Sequence, residues 1–360
     1  MFYGKLTLDL IPGPGNPRSS EGDFHRLPDG SILFAYSRFC GENFGDDARC
    51  DIFGILSRDE GESWGEPFPI ARAEDFGVHN LMSVSAVTLT DGTFAFVFGI
   101  KEMDGTITFA RACTRDGSEF DVQRIECDFI PAYYVLNNNR VLRLSDGRIL
   151  LPVAQHRMQN QPNSFANARF DSYGCGMFLV STDELKTLRA LPARMVLDET
   201  AYSRTGIQEP GVIEKKNGVL WIYARTDRGA QYECFSVDGL RTMTPVRQSP
   251  FTSPPSPMKI ARNPFTGDLY AVWNPIPNYN GRVLTKQGCG RTPLAIAKST
   301  DDGNTWGKLQ LLEDDPERGY CYPALHFLNG NEVLIAYCRG GAEDGICLSR
   351  MGIQKIKLDF

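Results

Sequence analysis

The sequence has no hydrophobic run that approaches the roughly 18 apolar residues needed to span a membrane. Its first residues, MFYGKLTLDLIPGPG, lack the basic stretch followed by an apolar stretch that is typical of an export signal. These absences predict a cytoplasmic protein with no membrane partner.

Histidine is scarce, and the cysteines follow no metal-binding pattern. The 360 residues include four histidines far apart in sequence and ten cysteines without a Cys-x-x-Cys pair. Structural zinc sites use pairs of such ligands at short spacing. We therefore expect no metal and no cofactor, and we expect the cysteines to be free thiols of a reducing compartment.

An excess of positive charge is also missing. The chain has 38 Lys and Arg against 44 Asp and Glu, which gives a net charge of -6. A nucleic-acid surface needs clustered basic residues, so no nucleic-acid partner is expected. Small basic pockets remain compatible with this balance. The 42% of hydrophobic residues is typical of a globular protein with a substantial core.

Short turn dipeptides recur along the chain, and each precedes a run of β-favouring residues. Such dipeptides typify two-residue hairpin turns, because both central residues of the turn take positive φ. The six are Asp29-Gly30, Asp91-Gly92, Asp146-Gly147, Asn217-Gly218, Thr266-Gly267 and Asn329-Gly330. Their regular recurrence predicts one hairpin-based unit used six times.

An eight-residue motif, Ser-x-Asp-x-Gly-x-x-Trp, follows the same period. It is complete in SRDEGESW (57–64) and STDDGNTW (299–306), and weaker copies begin at residues 114, 181 and 236. A unit of two hairpins repeated in this way predicts an all-β protein, a six-bladed β-propeller of four-stranded antiparallel blades. A solenoid of the same unit is the alternative. Stretches such as TSPPSP resemble loops rather than linkers, so we expect residues 1–360 to form a single domain.

The repeat also predicts where a site would form. The turns and eight-residue motifs should share one face of the propeller, which leaves the starts of the first and third strands and the ends of the second on the other face. The polar residues expected near these positions are Arg18, Glu21, Asp23, Asp46, Asp47, Asp51, Glu209, Arg225, Arg291, Tyr320 and Tyr322. Clustered charges are typical of functional sites. Asn80, Ser83 and residues 137–140 (NNNR) fall on the same face, where we interpret them as strand-end caps.

The two complete motifs are Asp boxes. Together with the count of six units, they make this sequence similar to the sialidase superfamily over essentially its whole length. The resemblance implies a sialidase-like propeller in which three arginines bind the carboxylate of an acidic sugar. Arg18, Arg225 and Arg291 stand at the matching places, and the 16-residue step from Glu209 to Arg225 is similar to the family's spacing. The segment YPAL resembles the family's tyrosine segment, which favours Tyr322 over Tyr320.

These residue types suit the cleavage of a sialic acid. Guanidinium groups can grip a carboxylate with charge-assisted, partly bidentate hydrogen bonds. A neutral tyrosine hydroxyl avoids the repulsion that a carboxylate nucleophile would meet, and sialidases use a tyrosine nucleophile. We assign Tyr322 as the nucleophile, Glu209 as its base and Asp46 as the acid/base. Asp47 and Asp51 are alternatives to Asp46, and Asp47 is also assigned to substrate binding.

The sequence departs from the family around the first arginine. PRSSEGD replaces the usual Arg-Ile-Pro, and Cys338 falls near the place of the carboxylate that normally braces this arginine, so Glu21 is expected to substitute. We predict a retaining exo-glycosidase that removes a terminal α-linked sialic acid or related nonulosonic acid from an acidic oligosaccharide. The alternatives are a hydrolase or lyase for a uronate-type sugar and a non-catalytic glycan-binding propeller. The oligomeric state stays open.

Overall fold

Short strands, most of them paired antiparallel, make up almost all of the regular secondary structure in the described part of the chain. The computed structural model describes residues 4–158, 170–198, 202–276 and 285–360. Within these ranges, two short 3-10 helices, Ala73–Phe76 and Ala342–Asp344, lie in loops. No helix within these ranges is long and apolar enough to cross a membrane. The all-β architecture that the turn periodicity predicted is confirmed.

The described strands form units that follow one another along the chain. The first strand, β1 (Gly4–Leu10), belongs to the last unit. Unit 1 comprises β2 (Ser19–Arg26), β3 (Ile32–Phe39), β4 (Cys50–Ser57) and β5 (Phe68–Ala71). Unit 2 comprises β6 (Asn80–Thr88), β7 (Phe94–Lys101), β8 (Ile107–Thr114) and β9 (Asp121–Arg124). One parallel residue pair, Cys50 with Asn80, joins these two units into a single eight-stranded sheet.

Unit 3 is the most irregular of the sheets. It comprises β10 (Glu126–Asp128), β11 (Tyr133–Leu136), β12 (Leu142–Arg143), β13 (Ile149–Met158), β14 (Phe170–Ser181) and β15 (Thr187–Ala190). Both β11 and β12 pair with β13, so the inner strand is interrupted at residues 137–141. β10 adds a parallel strand at the outer edge, beside β15. The interruption leaves NNNR outside regular pairing, at the centre of the molecule.

The remaining units are regular four-stranded sheets. Unit 4 comprises β16 (Gln208–Glu214), β17 (Leu220–Arg225), β18 (Ala230–Ser236) and β19 (Arg247–Thr252). Unit 5 comprises β20 (Lys259–Arg262), β21 (Leu269–Trp273), β22 (Leu294–Ser299) and β23 (Gln310–Glu313). Unit 6 comprises β24 (Cys321–Phe327), β25 (Glu332–Cys338), β26 (Met351–Lys357) and the N-terminal β1.

Hydrophobic clusters between neighbouring units close the six units into a ring. Among the described residues, one large cluster lies between each successive pair of units, and another lies between unit 6 and unit 1. The middle strands are covered on both faces, which explains why β3, ILFAYSRF, is apolar with little alternation. An outer strand such as β9, DVQR, is largely exposed. The propeller architecture is therefore confirmed.

The connecting turns differ from the prediction in their length. Leu27 N–H donates to Ser31 O at 2.8 Å and Gly30 N–H donates to Leu27 O at 3.0 Å, so the loop has three residues rather than two. Asp29 does not take positive φ, whereas Gly30 does, at 87°. This is a turn followed by a left-handed glycine, and the prediction of two-residue turns was wrong here. The same hydrogen bonds recur at residues 89–93, 144–148 and 215–219.

The Asp boxes cap their own turns. Ser57 Oγ accepts the Gly61 N–H at 2.8 Å, and Asp59 Oδ1 accepts the Ser63 N–H at 2.9 Å. Equivalent bonds occur in the copies that begin at residues 181, 236 and 299. Trp64 packs against Phe24 and Phe34, with ring centroids 6.4 Å apart in each pair. The Asp box therefore has a structural role: it fixes its own turn and places the Trp64 ring in the packing between units.

Candidate active site

A cavity of about 350 Å³ opens on the face opposite the turns and Asp boxes. This volume lies at the lower end of the range for small-molecule sites. The predicted site residues that line it are Glu21, Asp46, Glu209, Arg225, Arg291 and Tyr322. Arg18 lies directly behind the wall, where it contacts Asp46 and Glu21. The structure thus brings together all the predicted catalytic side chains and two of the three arginines at one cavity, with the third bonded to its lining.

Four of the lining residues sit at β-bulges in the inner strands of their units. Glu21, Ser83, Glu209 and Tyr322 take φ of 55°, 68°, 48° and 56°, and the strand register shifts at each of them. A side chain in this left-handed region costs roughly 1–3 kcal/mol, which packing elsewhere must offset. Bulges redirect side chains and are frequent beside active sites. Here one backbone distortion, repeated in four units, lines a single cavity.

Tyr322, Glu209 and Arg225 form one hydrogen-bonded group. The Tyr322 hydroxyl donates to Glu209 Oε1 at 3.0 Å, and Arg225 Nη1 donates to the same oxygen at 2.9 Å. Glu209 is 4% exposed, and its Oε2 has no hydrogen-bond partner within the described ranges. Burial and the neighbouring Glu209 carboxylate raise the pKa of Tyr322 well above its ordinary value. The phenol is therefore neutral at rest and already touches a carboxylate that can accept its proton.

Arg18 is held by two carboxylates. Its Nη2 donates to Glu21 Oε1 at 3.1 Å and its Nη1 to Asp46 Oδ1 at 2.5 Å, and the residue is 1% exposed. Glu21 therefore stands where a brace for Arg18 was expected. Ser83 Oγ donates to the second Glu21 oxygen at 2.5 Å.

The two carboxyl groups beside Arg18 have opposite electrostatic environments. Burial raises the pKa of Glu21 to about 7, although Arg18 and Ser83 oppose the shift. The surrounding protein atoms also act to raise the pKa of Asp46, but the Arg18 guanidinium prevails and holds it below the ordinary value. Although these atoms crowd it, the Asp46 side chain keeps 62% of its surface exposed, so it can leave Arg18 without disturbing the core.

Arg291 is held by a sulfur atom rather than by a carboxylate. Its Nη1 donates to Cys321 Sγ at 3.1 Å and its Nη2 to Pro255 O at 3.3 Å. The guanidinium carbon lies 5.7 Å from the centre of the Tyr322 ring. Its Nε has no partner in the part of the chain that the structure describes. The Arg291 guanidinium can therefore donate a further hydrogen bond beside Tyr322.

Three further predicted residues lie outside the cavity lining. Asp47 pairs with Lys101, whose side chain is 5% exposed and which itself lines the cavity. Asp51 is buried in β4 and accepts the Ala73 N–H at 2.7 Å. Tyr320 is buried in the cluster between units 5 and 6. Asp51 and Tyr320 thus occupy structural positions in this geometry.

Asp23 and the NNNR segment meet at the axis of the ring. Asp23 accepts hydrogen bonds from Ala86 N and from Asn139 Nδ2, at 2.7 and 2.6 Å. Asn138 Nδ2 donates to Gly22 O at 3.0 Å and to Tyr322 O at 3.2 Å. The asparagine side chains join unit 3 to units 1 and 6, a role that goes beyond the strand-end capping we predicted.

The sequence analysis missed several of the residues that line the cavity or assigned them no role in binding. They are Asn80, Met82, Ser83, Lys101, Tyr133, Asn137, His156 and Gln208. Most stand near the starts of inner strands or the ends of second strands, the positions that the repeat geometry had marked. Lys101, the last residue of β7, could have been found by applying that rule to unit 2. His156 lies near the end of β13, the corresponding strand of unit 3.

The ring of small sheets, the Asp boxes and the cavity with its arginines, tyrosine and glutamate together define a sialidase-like propeller. The profile of the BNR repeat-like domain matches residues 116–335, which is more than half of the sequence. The chain therefore belongs to the BNR repeat-like domain family, within the sialidase superfamily. No curated protein matches the sequence.

Solved structures share the fold at low sequence identity. A Dyadobacter fermentans protein of unknown function is 17% identical with a TM-score of 0.71, over 99% of this chain and 100% of its own. The Hadza microbial sialidase Hz136 is 17% identical with a TM-score of 0.72, over 96% of this chain and 66% of its own. The leech intramolecular trans-sialidase is 13% identical with a TM-score of 0.68, over 99% and 70%. At these identities the likeness establishes the fold alone.

Proposed function

We propose that this protein is a retaining exo-glycosidase that hydrolyses a terminal α-linked sialic acid or a related nonulosonic acid from an oligosaccharide. The observation that carries the proposal is the contact of Tyr322 and Arg225 with one oxygen of Glu209, beside Arg291, in a cavity of monosaccharide size. A phenol prepared for attack and cations placed for a carboxylate are the two requirements of this chemistry.

Substrate binding begins with an exchange of carboxylates. The Asp46 carboxylate occupies the outward Nη1 of Arg18, and its side chain is largely exposed. A sugar carboxylate that enters between the arginines can take this position through charge-assisted hydrogen bonds. Asp46 is then released from the cation that lowers its pKa, so its pKa rises towards the range of a general acid.

The covalent step uses Tyr322. As its hydroxyl oxygen attacks the anomeric carbon, its proton passes to Glu209 Oε1, and the glycosidic C–O bond breaks. Asp46 donates a proton to the leaving oxygen, and the sugar remains bound to Tyr322. Water activated by Asp46 then attacks the same carbon, and Tyr322 recovers its proton from Glu209. Two displacements at one carbon retain the anomeric configuration.

A Tyr322→Phe variant tests the proposal. With 4-methylumbelliferyl sialic acid and related nonulosonic acid glycosides as substrates, kcat should fall roughly 10³-fold or more, because the ring stays but the nucleophile is lost. Binding of the free sugar, measured by calorimetry, should change little. Tyr320→Phe is the matched control and should keep kcat within a few-fold. Unchanged turnover in Tyr322→Phe would remove Tyr322 from the mechanism.

The same experiment distinguishes the proposed function from two alternative functions of the protein. If neither the parent nor the variant cleaves any nonulosonic acid glycoside but both bind the sugars, the protein is a glycan-binding propeller. If an oligosaccharide with a terminal uronate is cleaved and ultraviolet absorbance appears, the protein is a lyase for that sugar. Either result would contradict the proposed function.

A further inference from the structure

Four of the ten cysteines converge behind the arginine wall of the cavity, although they are far apart in sequence. Cys321, Cys338 and Cys347 form one buried cluster, and each is 0% exposed. Cys321 and Cys338 are direct partners across β24 and β25. Cys289 is exposed at the outer end of the group, in a turn that the hydrogen bond from Cys347 N–H to Gln287 O holds beside Cys347. All four are free thiols.

This cluster is connected to the proposed active site through Arg291. Cys347 lies with Cys321 in the buried cluster, and Cys321 Sγ accepts the hydrogen bond from Arg291 Nη1. Cys289 is two residues before Arg291 in the same loop, and Arg291 N–H donates to Gly288 O at 3.0 Å. A row of sulfur atoms thus runs from the protein surface to a cavity-lining guanidinium.

Cys289 and Cys347 differ in their exposure and in their acidity. Interaction with Cys347, and to a smaller degree with the Arg291 guanidinium, lowers the pKa of the Cys289 thiol against the opposing effect of burial. Interaction with Cys289 and Cys321, together with burial, raises the pKa of Cys347. The exposed thiol is therefore the more acidic of the two, and its buried neighbour holds its proton more tightly. This is the arrangement of an attacking and a resolving cysteine.

The backbone around these two residues permits them to approach. Cys289 lies in the turn at residues 286–290 and Cys347 in the loop between β25 and β26, so neither is fixed in a strand. Cys347 N–H donates to Gln287 O at 2.9 Å, which holds the two loops side by side. A disulfide needs the two Cβ atoms at about 3.5–4.5 Å, a distance that adjacent loops can reach with small movements.

We propose that Cys289 and Cys347 are a reversible redox modification site that responds to hydroperoxides and controls the position of Arg291. The Cys289 thiolate attacks a hydroperoxide, ROOH, and with one proton yields the sulfenic acid Cys289–SOH and ROH. The Cys347 thiol then condenses with the sulfenic acid to form the disulfide and water. The disulfide removes Cys347 from Cys321 and pulls the loop that carries Arg291, so the third arginine is displaced.

The chemical part of the proposal is tested without any substrate. The protein is treated with a small excess of hydrogen peroxide, its remaining thiols are alkylated, and its tryptic peptides are analysed by mass spectrometry with and without dithiothreitol. We expect a linked pair of peptides containing Cys289 and Cys347 that separates on reduction. Cys289→Ser should give no linked pair, and Cys113→Ser, a thiol in unit 2, should behave like the parent. Absence of the link in the parent would overturn the proposal.

The regulatory part rests on the proposed function and has its own readout. Oxidation should lower the hydrolysis of a fluorogenic sialoside at least tenfold, dithiothreitol should restore it, and Cys289→Ser should stay active in peroxide. A link that forms without loss of activity would refute the control of Arg291. If the parent cleaves no sialoside, sialic acid binding by calorimetry replaces turnover, so failure of the glycosidase proposal and failure of the redox proposal give different results.

Discussion

At the scale of single residues, Glu21 is a buried carboxyl group that shares Arg18 with Asp46. Burial brings its pKa to about 7, so its charge changes near neutral pH. When Glu21 is ionised, it offsets the charge of Arg18 and repels an incoming carboxylate. When it is protonated, Arg18 presents more of its charge to the cavity.

This predicts a pH-dependent Michaelis constant. KM for a fluorogenic sialoside should rise roughly tenfold between pH 6 and pH 8, which corresponds to about 1.4 kcal/mol. In Glu21→Gln the rise should disappear, because the amide cannot ionise, and KM should stay near its low-pH value. Steady-state kinetics at several pH values measure both profiles. An unchanged rise in Glu21→Gln would show that another group is responsible.

At the scale of structural elements, the bulges determine the site. Two of them are fixed by one side chain, because Asn138 Nδ2 binds the carbonyl oxygens of Gly22 and Tyr322 across the axis. Gly22 follows Glu21 in its bulge, so Asn138 couples the strand that carries Glu21 to the strand that carries Tyr322, the proposed nucleophile. We regard Asn138 as a positioning residue.

Asn138→Ala should therefore affect both stability and turnover. Two buried carbonyl groups lose their partner, which should cost about 2–4 kcal/mol in the free energy of unfolding. The kcat should fall more than tenfold, and KM should change less. Urea denaturation and steady-state kinetics measure these effects.

The matched control is Asn263→Ala. Asn263 is likewise buried and donates to two carbonyl groups, Asn329 O and Gly330 O, but on the face of the turns. The Asn263→Ala variant should lose a comparable free energy of unfolding and keep the kcat of the parent. Equal kinetic losses in both variants would indicate a general structural effect instead of positioning.

At the scale of the whole molecule, the ring is closed by pairing the first strand with the last. β1 pairs antiparallel with β26, and Asp9 of β1 binds Arg350 at 2.7 and 2.5 Å and Arg339 at 3.2 Å. The Asp9 side chain is 24% exposed, so these ion pairs are partly shielded from water.

Replacing Asp9 by Asn should weaken this closure. We expect a loss of about 1–2 kcal/mol in the free energy of unfolding and a Tm lower by about 1–3 °C. Hydrogen exchange should accelerate first in the peptides of β1. Asp29→Asn removes an exposed pair with Arg58 and should have no measurable effect. Uniformly faster exchange in Asp9→Asn would contradict a local role in closure.

A buried histidine predicts the acid sensitivity of the ring. Burial lowers the pKa of His25 to about 4, from 6.5 in the unfolded chain. The unfolded state therefore binds the proton first as pH falls, so the contribution of His25 to stability is complete above about pH 6.5 and is lost progressively towards pH 4. Between pH 7.5 and pH 5 the loss should be about 2 kcal/mol.

Denaturation of His25→Gln at both pH values tests this prediction. The variant should lose about 2 kcal/mol less than the parent over this interval, whatever its absolute stability. Identical pH dependence in the parent and the variant would exclude His25 as the cause.

The sequence by itself determined the repeat, because hairpin turns and Asp boxes are local devices whose residues act within a few positions of each other. Their period predicted the β-propeller, the face of the site and most of its charged residues. The single-domain organisation of residues 1–360 and the roles of the site residues stay predictions. The turn type was wrong, because a glycine in the left-handed region completes a three-residue loop as readily as a two-residue one.

Only the tertiary structure decided which groups touch. Nothing local to Cys321 indicates that it receives Arg291, and nothing local to Asn138 indicates that it joins two bulges across the axis. These contacts link residues 30 to 184 positions apart, and they exist because six units pack around one centre. Hydrogen bonds and charge effects depend on distances of a few ångströms, which closure of the ring sets and local sequence preferences do not.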